Sequence, residues 1–457
     1  MSEIDKPCQG RPARGPGGSY YGWVILAACF VIIAVSSGVI SSFPIFYVSV
    51  LRQFHWNRGN TAIAMSLHLL VNGGASPFVG VIMDRYGPRL AMPVGALLTA
   101  AGLCWLSRAN ALWQFYVAFG ILAAVGSAML LLVPLIAIVS NWFVRRRGMA
   151  IGIVASGIGA GQLLLLPLLQ RLIALAGWRT AYLVFAIAIL VIPWVLVRQF
   201  LFNRPEEVGL SVTDEMGQRQ KEQASTSGWL AGVNKVLAPQ NEIIVVDTAW
   251  ARTDWTLRKA AYSLRFWALV MAMIVFAIGF YLVTVQLFAY LLDRGYNPAF
   301  AASLMGLLGC FNIAGKFGGG LLCDRIGREM SFSLAMALLI GSIVFLHYGR
   351  VAILGIAFAL LFGVGYGMAI PSLMASATDL FQGKHFGAIF GFNILGAAIG
   401  GALGSWLGGY LFDLTRAYGI SFMLASIGML VAALLLWKAR PSAVRLLRPY
   451  KVTGVSA

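Results

Sequence analysis

What most constrains this chain is the recurrence of apolar stretches long enough to cross a lipid bilayer. They fall at roughly 21–49, 61–83, 90–107, 111–140, 148–172 and 179–202. After a polar interruption they resume at 266–292, 299–322, 331–349, 352–378, 386–412 and 418–438. A hydrocarbon core about 30 Å thick takes about 20 residues of helix. No water is present there to satisfy the backbone, so each stretch must close its own hydrogen bonds as a helix. A soluble alternative would need a charged shell, and only 11% of the residues are charged, against about 25% in soluble domains. The expected fold is therefore an all-α membrane protein with twelve transmembrane helices in two six-helix bundles, 21–202 and 266–438. A Gly-, Pro- and Arg-rich tail (1–20) precedes them and reads as disordered. A linker (203–265) joins them, and a basic tail (439–457) follows.

The net charge of +18 reads as topology rather than as nucleic-acid binding. On this span assignment 25 Lys and Arg fall on the side of the tails and linker and 8 on the opposite side. The excess marks the cytoplasmic face, with both termini inside. A bacterial inner membrane and a monomer are the expected setting, with the lipid bilayer as the surrounding partner. The cysteines at 8, 29, 104, 310 and 323 show neither metal spacing nor a disulfide framework. No cofactor is expected, and no cleavable signal is visible.

The halves repeat. Gly80-x-x-x-Asp84-Arg85-x-Gly87, between spans 2 and 3, recurs 240 residues later as Gly320-x-x-x-Asp324-Arg325-x-Gly327, between spans 8 and 9. Gly148 and Gly152 at the head of span 5 have counterparts in Gly387 and Gly391 of span 11, and Pro134 is echoed by Pro371. Two related bundles leave a cavity between them near the midplane, which is the architecture of a rocking transporter. In the repeated loops a carboxylate and an arginine at a helix end, with glycine permitting a tight turn, can form a gating latch. Its candidates are Gly80, Asp84, Arg85, Gly87 and Arg89, and Gly320, Asp324, Arg325, Gly327 and Arg328. Gly396, Gly400, Gly404 and Gly408 share one face of span 11 and read as a close-packing stripe. The stretch Trp255–Trp267 at the end of the linker reads as an amphipathic helix on the inner leaflet.

All 16 acidic residues fall in tails, loops or span ends, so no carboxylate is available mid-membrane to bind a cation or carry a proton. One cation is. Lys316 lies eight residues before Asp324, about 12 Å along a helix, and a lysine at that depth is a functional-site hypothesis by default. A lone cation facing a cavity selects an anion, because Coulomb attraction is strongest where water is scarce. Asn312, one turn away on the same face, adds a hydrogen bond. Asn72 is its repeat-mate by the same offset, and Asn393 of span 11 is a further candidate. The structural alternative is a lysine bonded to neighbouring carbonyls. His68, sixteen residues before Asp84, reads as an interfacial or structural histidine.

The repeated loops resemble the conserved loop motif of the major facilitator superfamily, over nearly the whole chain. Within it the chain resembles the monocarboxylate transporters and their oxalate–formate exchanger relatives. This second resemblance rests on Tyr21-Gly22-Trp23, the Asn141–Gly152 stretch, Asn203-Arg-Pro-Glu-Glu-Val-Gly209 and Gly365-Tyr366-Gly367. It implies carboxylate transport, with Lys316 pairing the carboxylate and Tyr366 lining the cavity. Departures narrow the expectation. Relatives often carry arginine at the position of Lys316 and aspartate at that of Asn312. Ile45 stands where animal monocarboxylate transporters have a first-span lysine, and span 11 lacks the exchanger's lysine. One cation rather than two favours a monocarboxylate. Leu132 stands where many relatives have tyrosine, which points to a more apolar pocket.

The expected function is secondary transport of a small organic anion by alternating access, with protons as a possible second partner. In that case Lys316 itself is the switch, neutral in the empty occluded site and charged with an anion bound. Multidrug efflux is the nearest alternative, but span 5 lacks the Gly-Pro pair of antiporter-type exporters and no buried carboxylate awaits a cationic drug. A transport-inactive sensor would usually carry a signalling domain. No nucleophile–base pair or phosphate-cradling loop suggests an enzyme.

Overall fold

Glycine and proline set where the spans bend and stop. The computed structural model describes residues 18–143, 147–202, 241–348, 351–383 and 385–449. Span 1 runs Gly18–Ser41 and continues past Ser42 as Phe43–Phe54. Span 2 is Arg58–Tyr86 and span 3 Pro88–Ser107, hinged at Gly87 with φ 72°. Spans 8 (Pro298–Ile326) and 9 (Arg328–Tyr348) repeat this joint at Gly327, with φ 91°. A side chain rarely adopts such a conformation, so the repeated motif keeps glycine there.

Among the described residues, ten helical stretches are long and apolar enough to cross a membrane. One of them, Met149–Phe200, would measure on the order of 78 Å at about 1.5 Å per residue, more than twice a hydrocarbon core. Its parent helix breaks at Gly177 (φ 79°, ψ 162°) into spans 5 and 6. Span 4 is interrupted. Leu112–Phe115, a π-helical Tyr116–Ala123 and Ala124–Ala128 end in a turn at 129–131, and Leu132–Trp142 resumes the helix. Pro134 has no N–H to bond to Leu130, which accounts for the interruption at that point. Spans 7 (Leu264–Asp293), 10 (Ala352–Phe381), 11 (Phe386–Thr415) and 12 (Gly419–Ala439) complete twelve.

The packing partners repeat between the halves. Span 1 lies on span 5 as span 7 lies on span 11; 2 pairs with 4 as 8 with 10, and 3 with 6 as 9 with 12. Helices in lipid gain little from apolar burial and associate through close contact instead. The glycine stripe of span 11 provides that contact against span 7. A Cβ on Gly400 would stand 2.2 Å from the carbonyl oxygen of Ile274, and one on Gly404 2.4 Å from that of Ile278.

Across the bundles, span 2 crosses span 11, span 5 crosses span 8, and the second segment of span 1 meets span 7. The span 2–11 stripe is tight at Gly59, which approaches Tyr410, and at Gly73, which approaches Ala398. Farther along, nothing lies within 4 Å of a Cβ placed on Gly80, Gly387 or Gly391. Spans 2 and 11 therefore meet on the face away from the linker and separate towards the linker face, where Gly152 of span 5 still approaches Phe317 of span 8.

The closed face carries a clamp. Asp413, at the end of span 11, accepts hydrogen bonds from the backbone N–H groups of Arg58 (3.0 Å) and Gly59 (2.7 Å). It thereby caps span 2 from the other bundle, a task its own Asn57 does not perform. The Arg58 guanidinium reaches Asp293 at 2.9 Å and the Tyr418 hydroxyl, and lies 3.6 Å from the Phe412 ring centroid.

On the linker face a single amphipathic helix over 255–267 does not form. Two short helices, Thr248–Arg252 and Leu257–Ala261, lead into span 7. Thr256 and Ser263 each cap a helix start, accepting from Lys259 N and Phe266 N, and so divide the stretch. A short strand pair was also not expected: β1 (Asn241–Val245) pairs antiparallel with β2 (Arg445–Pro449). This ribbon lies on the C-terminal bundle. The Trp250 indole donates to Leu380 O at 2.7 Å, and Arg445 to Thr378 O at 3.2 Å. The 1–17 part of the N-terminal tail, Asn203–Gly209 with the rest of the linker to 240, and the tail beyond 449 lie outside the described residues.

Candidate functional site

Between the bundles lies a cavity of about 410 Å3. Spans 1, 2, 4 and 5 line one side and spans 7, 8, 10 and 11 the other. Lys316, Asn312, Tyr366 and Asn72 all reach it, and Lys316 is the one charged side chain in its lining among the described residues. Asn393 does not line it. That side chain is buried in span 11 with its Nδ2 unpartnered, and the next residue, Ile394, faces the cavity instead. One step along a helix turns a side chain by about 100°, and sequence spacing alone did not resolve that step.

Lys316 is half-buried, and its ammonium donates to the carbonyl oxygen of Ala155 in span 5 at 3.3 Å. It thus faces the cavity and also meets the structural alternative of a lysine held by a carbonyl. Asn312 is 5% exposed, and its Nδ2 has no acceptor. A buried N–H without a partner is costly, and here it stands one turn from a cation. Asn72 is engaged: its Nδ2 donates to Ala124 O (3.2 Å) and to the Ser127 hydroxyl (3.0 Å). His68 is fully buried in the same network, with Nδ1 2.9 Å from Phe119 O and Nε2 3.3 Å from Ser127 Oγ. It is a satisfied core histidine, not an interfacial one.

Tyr366 belongs to an aromatic wall built by spans 7 and 10. Its ring stacks on Phe280 at 4.0 Å between centroids, and Phe280 in turn stacks on Phe362 at 5.7 Å. Tyr281 meets Phe280 edge-on at 5.3 Å. Across the cavity, Gln162 of span 5 donates to Ser41 of span 1 at 2.9 Å. Gln162, Tyr281 and Phe280 escaped the sequence reading. A glutamine inside an apolar, glycine-rich span is the signal that marks the first; an aromatic residue in an apolar span gives none.

The repeated loops behave differently in the two halves. In the second, Arg328 rather than Arg325 holds the carboxylates, reaching Asp324 at 2.6 Å and Asp379 of span 10 at 2.9 Å. Arg328 and Asp379 are each about a tenth exposed, whereas Arg325 is exposed. In the first half, Arg89 donates to Leu201 O at 2.9 Å and lies 3.8 Å from the Phe202 ring centroid, tying span 3 to the end of span 6. Arg85 is exposed beside the ring of Tyr86. The side chain of Asp84 lies outside the described residues. Gly80 and Gly320 face open space.

Two six-helix bundles related by an internal repeat, with a cavity between them that is closed at one face, define a secondary transporter. The family profile described as "Major Facilitator Superfamily" matches residues 25–353 and 315–452, and the chain belongs to that superfamily. Within it the chain is similar to the monocarboxylate transporters. It is 27% identical to monocarboxylate transporter 12-B of Danio rerio over 91% of this chain and 86% of the relative. It is likewise 27% identical to monocarboxylate transporter 13 of Bos taurus over 92% and 89%. An uncharacterized MFS-type transporter of Bacillus subtilis, YcxA, is 25% identical over 87% and 90%. Among solved structures, a mutant of the peptide transporter POT in complex with sulfate superposes with a TM-score of 0.68 at 15% identity. That superposition covers 95% of this chain and 100% of that one and bears on the fold alone. These relatives are transporters, not enzymes.

Proposed function

We propose that this superfamily member moves a small organic anion, a monocarboxylate, across the cytoplasmic membrane by alternating access between its two bundles. The observation that carries the reading is Lys316 in the lining of the inter-bundle cavity, one turn from the unpartnered Nδ2 of Asn312 and with no carboxylate in that lining among the described residues. A cation and an amide donor on one helix face suit a single carboxylate. The lysine's hydrogen bond to Ala155 O is neutral in its acceptor, so an arriving carboxylate offers the ammonium a stronger partner. The names of the similar monocarboxylate transporters support the same substrate class.

In this reading the linker face is cytoplasmic, in keeping with the positive charge gathered there, the membrane is a bacterial inner membrane and the working unit is a monomer. The described conformation then opens inward, with the Arg58–Asp413 clamp holding the outer face shut. Proton coupling follows if Lys316 is neutral when empty and charged when an anion is bound, which makes symport electroneutral.

The test is uptake into proteoliposomes of labelled mono- and dicarboxylates, with and without an inward proton gradient, in wild type and Lys316→Gln. Monocarboxylate uptake that is stimulated by the gradient and lost in the variant is the expected result. Saturable, pH-driven uptake that survives the substitution would overturn it.

A further inference from the structure

We propose that the cavity is built for a monocarboxylate with a bulky apolar body, aromatic or branched, rather than for a short hydroxy acid. Its carboxylate lies at Lys316 and Asn312 and its body lies against the Phe280–Tyr366 wall. This rests on the anion reading above and narrows it.

Three observations converge. The first is size. At about 410 Å3 the cavity falls in the range of about 300–1,000 Å3 typical of sites for drug-sized ligands. A three-carbon acid fills only a small part of that space, whereas a larger apolar body makes many more contacts with its walls.

The second is the distribution of unspent hydrogen-bonding groups. Asn312 Nδ2 has no acceptor, and the hydroxyls of Tyr281 and Tyr366 make no hydrogen bond to the described residues. All three belong to the C-terminal bundle, as does Lys316. The amides of the facing bundle are occupied: Asn72 donates to Ala124 O and Ser127, and Gln162 to Ser41. The polar head of a ligand is therefore drawn to the C-terminal bundle, the same bundle that carries the aromatic wall.

The third is the wall itself. Phe280 and Tyr366 stack 4.0 Å apart at 17° between ring planes, and the rings reach the same cavity as the lysine. Phe362 extends the row, and a packed row of rings gives the cavity an apolar surface that suits another ring or a branched chain.

The test measures binding to the purified full-length protein in lipid nanodiscs by calorimetry, with phenylacetate, lactate and phenylacetamide as probes, alongside uptake of the labelled acids into proteoliposomes. Phenylacetate is expected to bind at least tenfold tighter than lactate and at least tenfold tighter than the uncharged amide. Lactate binding as tightly as phenylacetate would overturn this inference and leave the anion reading standing. The amide binding as tightly as phenylacetate would overturn the anion reading. No binding by any probe would overturn both. Phe280→Leu, which keeps apolar volume and removes the ring, is expected to weaken phenylacetate severalfold and lactate by a clearly smaller factor. Equal loss for both acids would assign the ring a structural role and overturn the wall.

Discussion

The ammonium of Lys316 lies 3.3 Å from the carbonyl oxygen of Ala155, so the cation of span 8 donates across the bundle interface to the backbone of span 5. In the proposed function a substrate carboxylate competes with that contact. Hydrogen bonds to charged groups contribute about 1.5–3 kcal/mol, so Lys316→Gln is expected to weaken anion binding about tenfold to a hundredfold. The paired variant is Lys316→Arg. A guanidinium is charged at every accessible pH, so this protein is expected to bind the anion but to lose the response of uptake to a proton gradient. Uptake measured against external pH in both variants checks the pair. A gradient response retained by the arginine variant would place the proton elsewhere.

Asn312 tests the same site without removing charge. Asn312→Leu keeps the approximate volume and deletes the unpartnered donor, so fold and detergent stability should hold while anion affinity falls about tenfold, the value of one hydrogen bond to a charged group. Asn312→Asp sets a carboxylate one turn from Lys316 and is expected to abolish binding of monoanions, because the lysine then has an internal partner. Titration of both variants with the same acid separates the two effects.

The spans, their two groups and Lys316 as a candidate cavity residue were legible in the sequence, because hydropathy and a 240-residue offset act along the chain. Asn393 marks the limit of that legibility. Its depth in span 11 fits a cavity residue, yet the cavity receives Ile394. Which side of a transmembrane helix faces inward depends on its neighbours, and in lipid an apolar residue is acceptable on either side. The latch shows the same limit. Asp324-Arg325 reads as an adjacent pair, but the arginine that holds Asp324 is Arg328, four residues on and across the Gly327 turn at the head of span 9. Its second partner, Asp379, is separated by most of two spans and becomes visible only when spans 8, 9 and 10 pack together. The β1–β2 ribbon joins the linker to the tail across the whole second bundle, and no local pattern announces such a pairing.

Arg328 and Asp379 form the most buried ion pair among the described residues. Removing one member of a buried pair leaves the other charge uncompensated, at a cost of about 3–5 kcal/mol. Arg328→Ala is expected to lower the melting temperature in detergent markedly, and Arg325→Ala, whose side chain is exposed, to leave it nearly unchanged. The double variant Arg328→Ala with Asp379→Asn should recover part of the loss, since no unpaired carboxylate then remains at Asp379. Thermal unfolding of the three proteins side by side decides whether the pair or the arginine alone carries the effect.

Asp413 offers the cleanest handle on the closed face, because it joins the bundles through backbone groups of span 2 that no substitution at Arg58 can remove. A carboxylate at a helix N-terminus contributes about 0.3–1 kcal/mol when exposed and up to about 2 when partly buried. Asp413→Asn keeps the shape but only one of the two acceptor oxygens, and it removes the charge, so the closed face loses at least that much relative to the open one. The expected shift in the population ratio is severalfold, up to about thirtyfold. A single cysteine introduced at Thr284, which lines the cavity, in a background lacking the native cysteines reports it. Modification by a membrane-impermeant thiol reagent added on the side of the clamp should accelerate in Asp413→Asn. An unchanged rate would show that the clamp does not limit opening of that face.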